Sequence, residues 1–140
     1  MTRDQIVELF DRRLKATNEH DVESLADLYA ADAVVESPLG GTHQGRPAIE
    51  SVAAAFFGAL GDVKITQDAL IIENDRVVQV VTVSGTDTGG FMNMSPTGKP
   101  ALLPMVIVCT VKDGLIAHER RIYDFTGMLV QIGVLKAKPA

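Results

Sequence analysis

The sequence predicts an α+β fold, with helices in its N-terminal part and a bent antiparallel sheet after them. Three observations predict it. Up to Gly61 the apolar residues recur mostly at helical spacing. Beyond Val63 the chain turns into runs rich in Val and Ile. Asp113-Gly114, between CTVK and LIAH, is a strong two-residue hairpin signal. Helices followed by adjacent antiparallel strands place the helices on one face of the sheet.

Thr2 and Gln5 fit a capping box, and Ile6, Val7, Phe10 and Leu14 carry a first helix to Asn18. Asp21 can cap a second helix with Val22, Leu25, Leu28 and Tyr29 on its apolar side. AVVES reads as a short strand closed by Pro38-Leu39-Gly40-Gly41. Pro47 suits the first turn of a third helix, whose apolar positions Ile49, Val52, Phe56, Phe57 and Leu60 run to a stop at Gly61. Strands follow at VKIT into ALIIE, RVVQVVTVS, ALLPMVIVCTV and LIAHERRIYDF, with a turn at Asn74-Asp75. TGMLVQIGVL predicts a short closing helix with Asp124 or Thr126 as N-cap, and only the terminal KAKPA reads as loose.

With 140 residues and 46% apolar side chains, the chain can bury one core, and a single domain over 1–140 is expected. MTRDQIVELF carries charges where a signal peptide is apolar, and no run approaches the ~20 apolar residues of a membrane span. A cytoplasmic protein without membrane partners is the expectation. Cys109 stands alone in MVIVCTV, as a small buried hydrophobe. The formal charge of −5 with dispersed Lys and Arg argues against nucleic acid. His20, His43 and His118 lack metal-ligand spacing, so neither metal nor cofactor is expected.

GTDTGGFMNMSPTGKP, residues 85–100, superficially resembles a phosphate loop. A Walker loop needs Ser or Thr after Gly-Lys to hold magnesium, and Pro100 stands there instead. Proline also stops the helix whose N-terminus would face the anion. The stretch reads as a wide hairpin loop in which Phe91, Met92 and Met94 fold back over apolar surface, as a pocket rim or an oligomer contact.

YAADAVVESPLGGTHQGRPAI, the 85–100 loop and KDGLIAHERRIYDFTGMLVQIG together resemble the SnoaL-like polyketide cyclases, in the superfamily of ketosteroid isomerase and nuclear transport factor 2. The resemblance implies a cone-shaped curved antiparallel sheet wrapped around N-terminal helices, with one apolar cavity for a small hydrophobic molecule. It also implies a homodimer through the convex sheet face. The expected catalytic residues do not carry over. Ser37 stands where isomerase-like members place their base aspartate, Arg13 near their oxyanion-hole tyrosine, and Ile107 at their protonated aspartate. Arg121 occupies the position of the cyclases' acid/base aspartate, and Ile107 also that of its His or Asp partner.

In the register that the resemblance implies, Glu119, Arg121 and Tyr123 face the cavity, while His118, Arg120, Ile122 and Asp124 face outward. Arg121 then either holds a ligand anion or pairs structurally with Glu119. Glu119 is a candidate base whose pKa is raised by burial or lowered by Arg121. Tyr123 is a candidate donor to a ligand oxygen, and Asp124 is either a catalyst or a helix cap. Arg13, Ser37, Phe56, Met105 and Ile107 are expected to line the substrate site. His118 and His43 are possible acid/base groups, because an imidazole titrates near neutrality, although His43 is expected to be exposed in the loop before the third helix. Three functions compete: a cofactor-independent acid/base enzyme (cyclase, isomerase or hydrolase) on a hydrophobic carbonyl or polyketide-like compound, a binder without turnover, and a protein-interaction module.

Overall fold

The computed structural model describes residues 1–136, so all of the KAKPA tail but Lys136 lies outside the described residues. The elements run α1 (Arg3–Asn18), α2 (Val22–Ala26), β1 (Tyr29–Ser37), β2 (Gly41–Gln44), α3 (Arg46–Ala59), β3 (Lys64–Glu73), β4 (Arg76–Thr86), β5 (Pro100–Lys112), β6 (Leu115–Tyr123) and α4 (Phe125–Gln131). The strands form one curved, unclosed sheet in the order β2-β1-β6-β5-β4-β3. The α+β expectation holds, with one correction. β1 runs parallel to β6, so the sheet is mixed rather than wholly antiparallel.

Local chemistry explains the boundaries. The Thr2–Gln5 capping box forms, with the Gln5 amide donating to Thr2 Oγ1 at 3.1 Å. The buried stripe of α1 is Ile6, Leu9, Phe10, Arg13, Ala16 and Thr17, rotated from the predicted one, with Val7 and Leu14 only half-buried. Asn18 docks this helix on the sheet, accepting from Ile65 N at 2.8 Å and donating to Ile65 O at 3.0 Å.

The second helix is shorter than predicted. Leu28 and Tyr29 are buried, but Tyr29 already begins β1, because its backbone continues into the sheet beside β6. β2, read as loop in the sequence, pairs His43 with Val35 of β1. At the Asp113-Gly114 turn both residues have positive φ, 53° and 84°, as a two-residue hairpin requires.

Alternation along β4, β5 and β6 sends Val77, Val81, Ile107, Cys109 and Ile116 into the core under α1 and α3. The same inward rows carry polar residues at Gln79 and Glu119, both fully buried.

Candidate functional site

β6 sets the site. Its partners on β5 are Cys109 opposite Glu119, Ile107 opposite Arg121 and Met105 opposite Tyr123, so these three β6 residues share the concave face. On the opposite face Arg120 and Ile122 are exposed, and His118 Nε2 lies 2.7 Å from Glu36 Oε2.

Two guanidinium groups converge on one carboxylate. Arg121 Nε donates to Glu119 Oε2 at 2.7 Å, and Arg13 Nε and Nη2 each lie 3.2 Å from Glu119 Oε1. Tyr29 Oη donates to the same Oε1 at 2.5 Å and accepts from Arg13 Nε at 3.3 Å. Arg13 Nη1 donates to Gln79 Oε1 at 3.2 Å, and Gln79 Nε2 donates to Gln67 Oε1 at 3.0 Å. Burial alone would push the Glu119 carboxyl up. The charges of Arg13 and Arg121, with hydrogen bonds from Tyr29 and Arg121, outweigh it and bring Glu119 down to about 2. Burial pushes the Tyr29 hydroxyl up and the Cys109 thiol well up, so both stay protonated.

Above this cluster lies a cavity of about 410 Å³. Its apolar wall comes from α3 (Val52, Ala53, Phe56, Phe57), β5 (Met105, Ile107) and the loop after β4 (Phe91, Met92). Arg13, Arg121, Tyr123, Ser37, His43 and Asn93 supply its main polar side chains. Ser37 Oγ and Tyr123 Oη lie 3.3 Å apart and share one hydrogen bond.

Seven residues expected at the site do line the cavity: Arg13, Ser37, Phe56, Met105, Ile107, Arg121 and Tyr123. Glu119 does not. It is fully buried beneath the two arginines, which corrects the expectation of a carboxylate open to the ligand. Asp124 is also outside the lining, and its Oδ1 accepts from Gly127 N at 2.8 Å as the N-cap of α4. His43, expected to be exposed, is half-buried on β2 and lines the cavity.

The loop between Thr86 and Pro100 forms one rim. Asp87 is buried, and its carboxylate accepts from Gly90 N at 3.0 Å, Thr97 N at 2.9 Å and Thr97 Oγ1 at 3.0 Å. The loop's own aspartate thus satisfies N–H groups that a phosphate cradle would offer to an anion. A Cβ on Gly89 would fall 1.9 Å from Gly58 O, so only glycine lets the loop rest on the end of α3. Phe91 is buried against the cavity as expected, whereas Met92 and Met94 are exposed.

Residues 8–132 match the SnoaL-like polyketide cyclase family. The chain belongs to that family. IdmH of Streptomyces antibioticus, described as a candidate polyketide cyclase, is 27% identical with a TM-score of 0.77, over 91% of this chain and 97% of its own. AclR of Streptomyces galilaeus, described as a candidate hydroxylase, is 22% identical with a TM-score of 0.84, over 99% of this chain and 87% of its own. TerC, crystallised with polyporic acid, is 22% identical with a TM-score of 0.76, over 91% of this chain and 98% of its own. At 22% identity AclR and TerC speak for the fold alone. No curated protein matches the chain.

Within this SnoaL-like domain, Tyr29 and Gln79 complete the buried cluster and the exposed Gln67 ties it to the surface, although none was singled out as a site residue. Gln79 had a signal: in RVVQVVTVS it interrupts the inward row Val77, Val81, Val83 with a polar side chain. Tyr29 had none, because its placement depends on where the second helix ends.

Proposed function

We propose that this protein is a cofactor-independent acid/base enzyme, of the cyclase or isomerase type, acting on a small hydrophobic carbonyl or polyketide-like compound that is acidic or enolisable. One observation carries the reading. Arg13 and Arg121 border an apolar cavity, and among the described residues Glu119 is the only carboxylate paired with them, leaving one positive charge in excess. An uncompensated charge is costly beside apolar walls, and a ligand carboxylate, phenolate or enolate would balance it. Arg121 presents that charge: Glu119 holds its Nε, and its guanidinium borders the cavity. A guanidinium cannot take a proton near neutrality, but it stabilises an oxyanion that develops on a carbonyl. The description of IdmH as a candidate polyketide cyclase supports a chemistry of this kind.

The test compares 2-hydroxy-1,4-naphthoquinone, a ring-bearing acidic enol, with its neutral 2-methoxy analogue by calorimetry. The acid should bind more tightly, and Arg121→Met should weaken it by roughly 1.5–3 kcal/mol through loss of a charged hydrogen bond. Equal binding of acid and ether, unchanged in the variant, defeats the reading. Binding without turnover is the second reading, favoured by the sealing of Glu119 away from the ligand.

The proposal includes a homodimer through the convex face, where Val78, Val80, Val106 and Val108 are only half-buried and Ile122 and Leu102 are exposed. Sedimentation should show a dimer at micromolar concentration, and Ile122→Glu should dissociate it. A wild-type monomer would refute this part.

A further inference from the structure

Arg121 brings a charge to the cavity, and the hydroxyl pair beside it offers a second position for oxygen. We propose that Tyr123 donates a hydrogen bond to a second oxygen of the ligand and that Ser37 positions the phenol for it. The site thereby selects anions whose charge is shared by two oxygens on separate carbons, as in the enolate of a 1,3-dicarbonyl. This rests on the proposed anionic or enolisable ligand.

The strands bring these groups together. β1 and β6 run parallel with Val35 beside Glu119 and Glu36 beside Arg120, so Ser37, the last residue of β1, comes alongside Arg121. Tyr123 follows two residues later on the same concave face, and its hydroxyl reaches back to Ser37. All three residues are half-buried. They border the main cavity and also a second recess of about 330 Å³ beside the β1–β2 turn, lined further by Pro38, Thr42 and Arg120. The hydroxyl pair thus stands between two open spaces rather than under packed side chains.

A count of donors shows what is left for a ligand. Two hydroxyls carry two protons, and the one contact of 3.3 Å between them uses one. Neither hydroxyl has another partner among the described residues. One O–H therefore remains to donate. A phenol is more acidic than an aliphatic alcohol and makes the stronger bond to a charged oxygen. Ser37 then donates to Tyr123 Oη, and accepting that bond strengthens Tyr123 as a donor. Arg121 is used in part in the same way. Its Nε is held by Glu119, while its Nη groups have no hydrogen-bond partner among the described residues.

A charged N–H donor and a neutral O–H donor side by side suit one kind of anion. A carboxylate carries both oxygens on one carbon and is held by a guanidinium alone. The enolate of a 1,3-dicarbonyl spreads its charge over oxygens on the first and third carbons, so one faces Arg121 while the other accepts from Tyr123. A site built to donate to that second oxygen discriminates against ligands without it, because the donor is then left unpaired.

The test compares two fused bicyclic anions by calorimetry. The conjugate base of 2-hydroxy-1,4-naphthoquinone shares its charge between the oxygens at ring positions 2 and 4, whereas 2-naphthoate carries both on one carbon. The ratio of the two affinities, naphthoquinone over naphthoate, should fall about tenfold in Tyr123→Phe through loss of one hydrogen bond to a charged oxygen. Phenylalanine keeps the ring that meets Phe125 edge-on at 6.4 Å, so the variant should fold. Ser37→Ala should lower the same ratio about threefold, and Ser37→Thr, which keeps a hydroxyl, should restore it. An unchanged ratio in Tyr123→Phe, whether both affinities fall together or neither moves, overturns the proposal. If 2-naphthoate binding depends on Arg121 while the ratio ignores Tyr123, the anionic-ligand reading stands and this one fails. If neither anion binds the wild type, both fail.

Discussion

Glu119 and Arg121 stand two residues apart on β6, and Arg121 Nε meets Glu119 Oε2 at 2.7 Å. The pair would be local if Arg13 did not arrive on the same carboxylate from α1, 106 positions away in the chain. The three charges therefore couple the helical layer to the sheet. Replacing Glu119 by Gln leaves the buried Arg13 and the half-buried Arg121 without a counter-ion. Breaking a buried pair in this way costs about 3–5 kcal/mol. Urea unfolding should show a loss of that order, and a loss below about 1 kcal/mol would mean that the cluster is solvated like a surface pair.

The same carboxylate sets an acid limit. Glu119 is depressed in the folded protein, from its ordinary 4.5 down to about 2. The folded state thus holds this proton less well than the unfolded chain does. The stability it contributes is fully present above pH 4.5 and is lost as pH falls from there toward 2. Asp21 and Asp62, lowered by hydrogen bonds from Ser24 and Thr86, act in the same direction but remain in a Glu119→Gln protein. The difference in stability between wild type and Glu119→Gln should therefore narrow across that window. A difference that is constant with pH would show that Glu119 is not ionised in the fold.

The fold was largely legible in the sequence because its signals are local: a capping box, Val-rich alternation and a turn at Asp113-Gly114. The inward register of β6 was legible through the family resemblance. The site was legible only in part. Arg121 and Tyr123 follow from alternation along one strand, and Arg13 lies on the stripe of Ile6 and Phe10, where a polar residue must find a buried partner. Glu119 shares their face, yet whether a carboxylate is open or sealed depends on what arrives from elsewhere. Here Arg13, Tyr29 and Arg121 seal it, and no local pattern encodes that convergence. The exposure of His43 was misread for a related reason. GTHQ is too short for strand periodicity to show, and it becomes a strand only by pairing with β1.

Tyr29 tests how far the cluster depends on one hydroxyl. Phenylalanine keeps the ring that packs in the core and removes the donor to Glu119. A hydrogen bond to a charged group is worth about 1.5–3 kcal/mol, and Tyr29→Phe should lose stability in that range. Because this bond also helps to lower the Glu119 carboxyl, the acid loss tied to Glu119 should still begin near pH 4.5 in the variant but be smaller and end at a higher pH. Loss of stability with an unchanged acid profile would assign the hydroxyl to Arg13 rather than to Glu119.

The rim loop depends on Asp87 in the way the cluster depends on Glu119, but with backbone donors. Its carboxylate gathers Gly90 N, Thr97 N and Thr97 Oγ1, while Asp87 N donates to Lys99 O at 3.0 Å and Gly98 N donates to Asp87 O at 2.9 Å. Alanine at 87 keeps the backbone pair and strands the other donors. Each hydrogen bond lost to the carboxylate costs about 1.5–3 kcal/mol, enough to open the loop without unfolding the sheet. Hydrogen exchange should then accelerate at Gly90 and Thr97 by about tenfold for each 1.4 kcal/mol lost, while amides in β4 and β5 remain protected. Since Gly90, Phe91, Met92 and Asn93 line the cavity, 2-hydroxy-1,4-naphthoquinone should bind Asp87→Ala more weakly. Faster loop exchange with unchanged affinity would show that the ligand sits deeper, against Arg13 and Arg121, and that the rim is not part of its site.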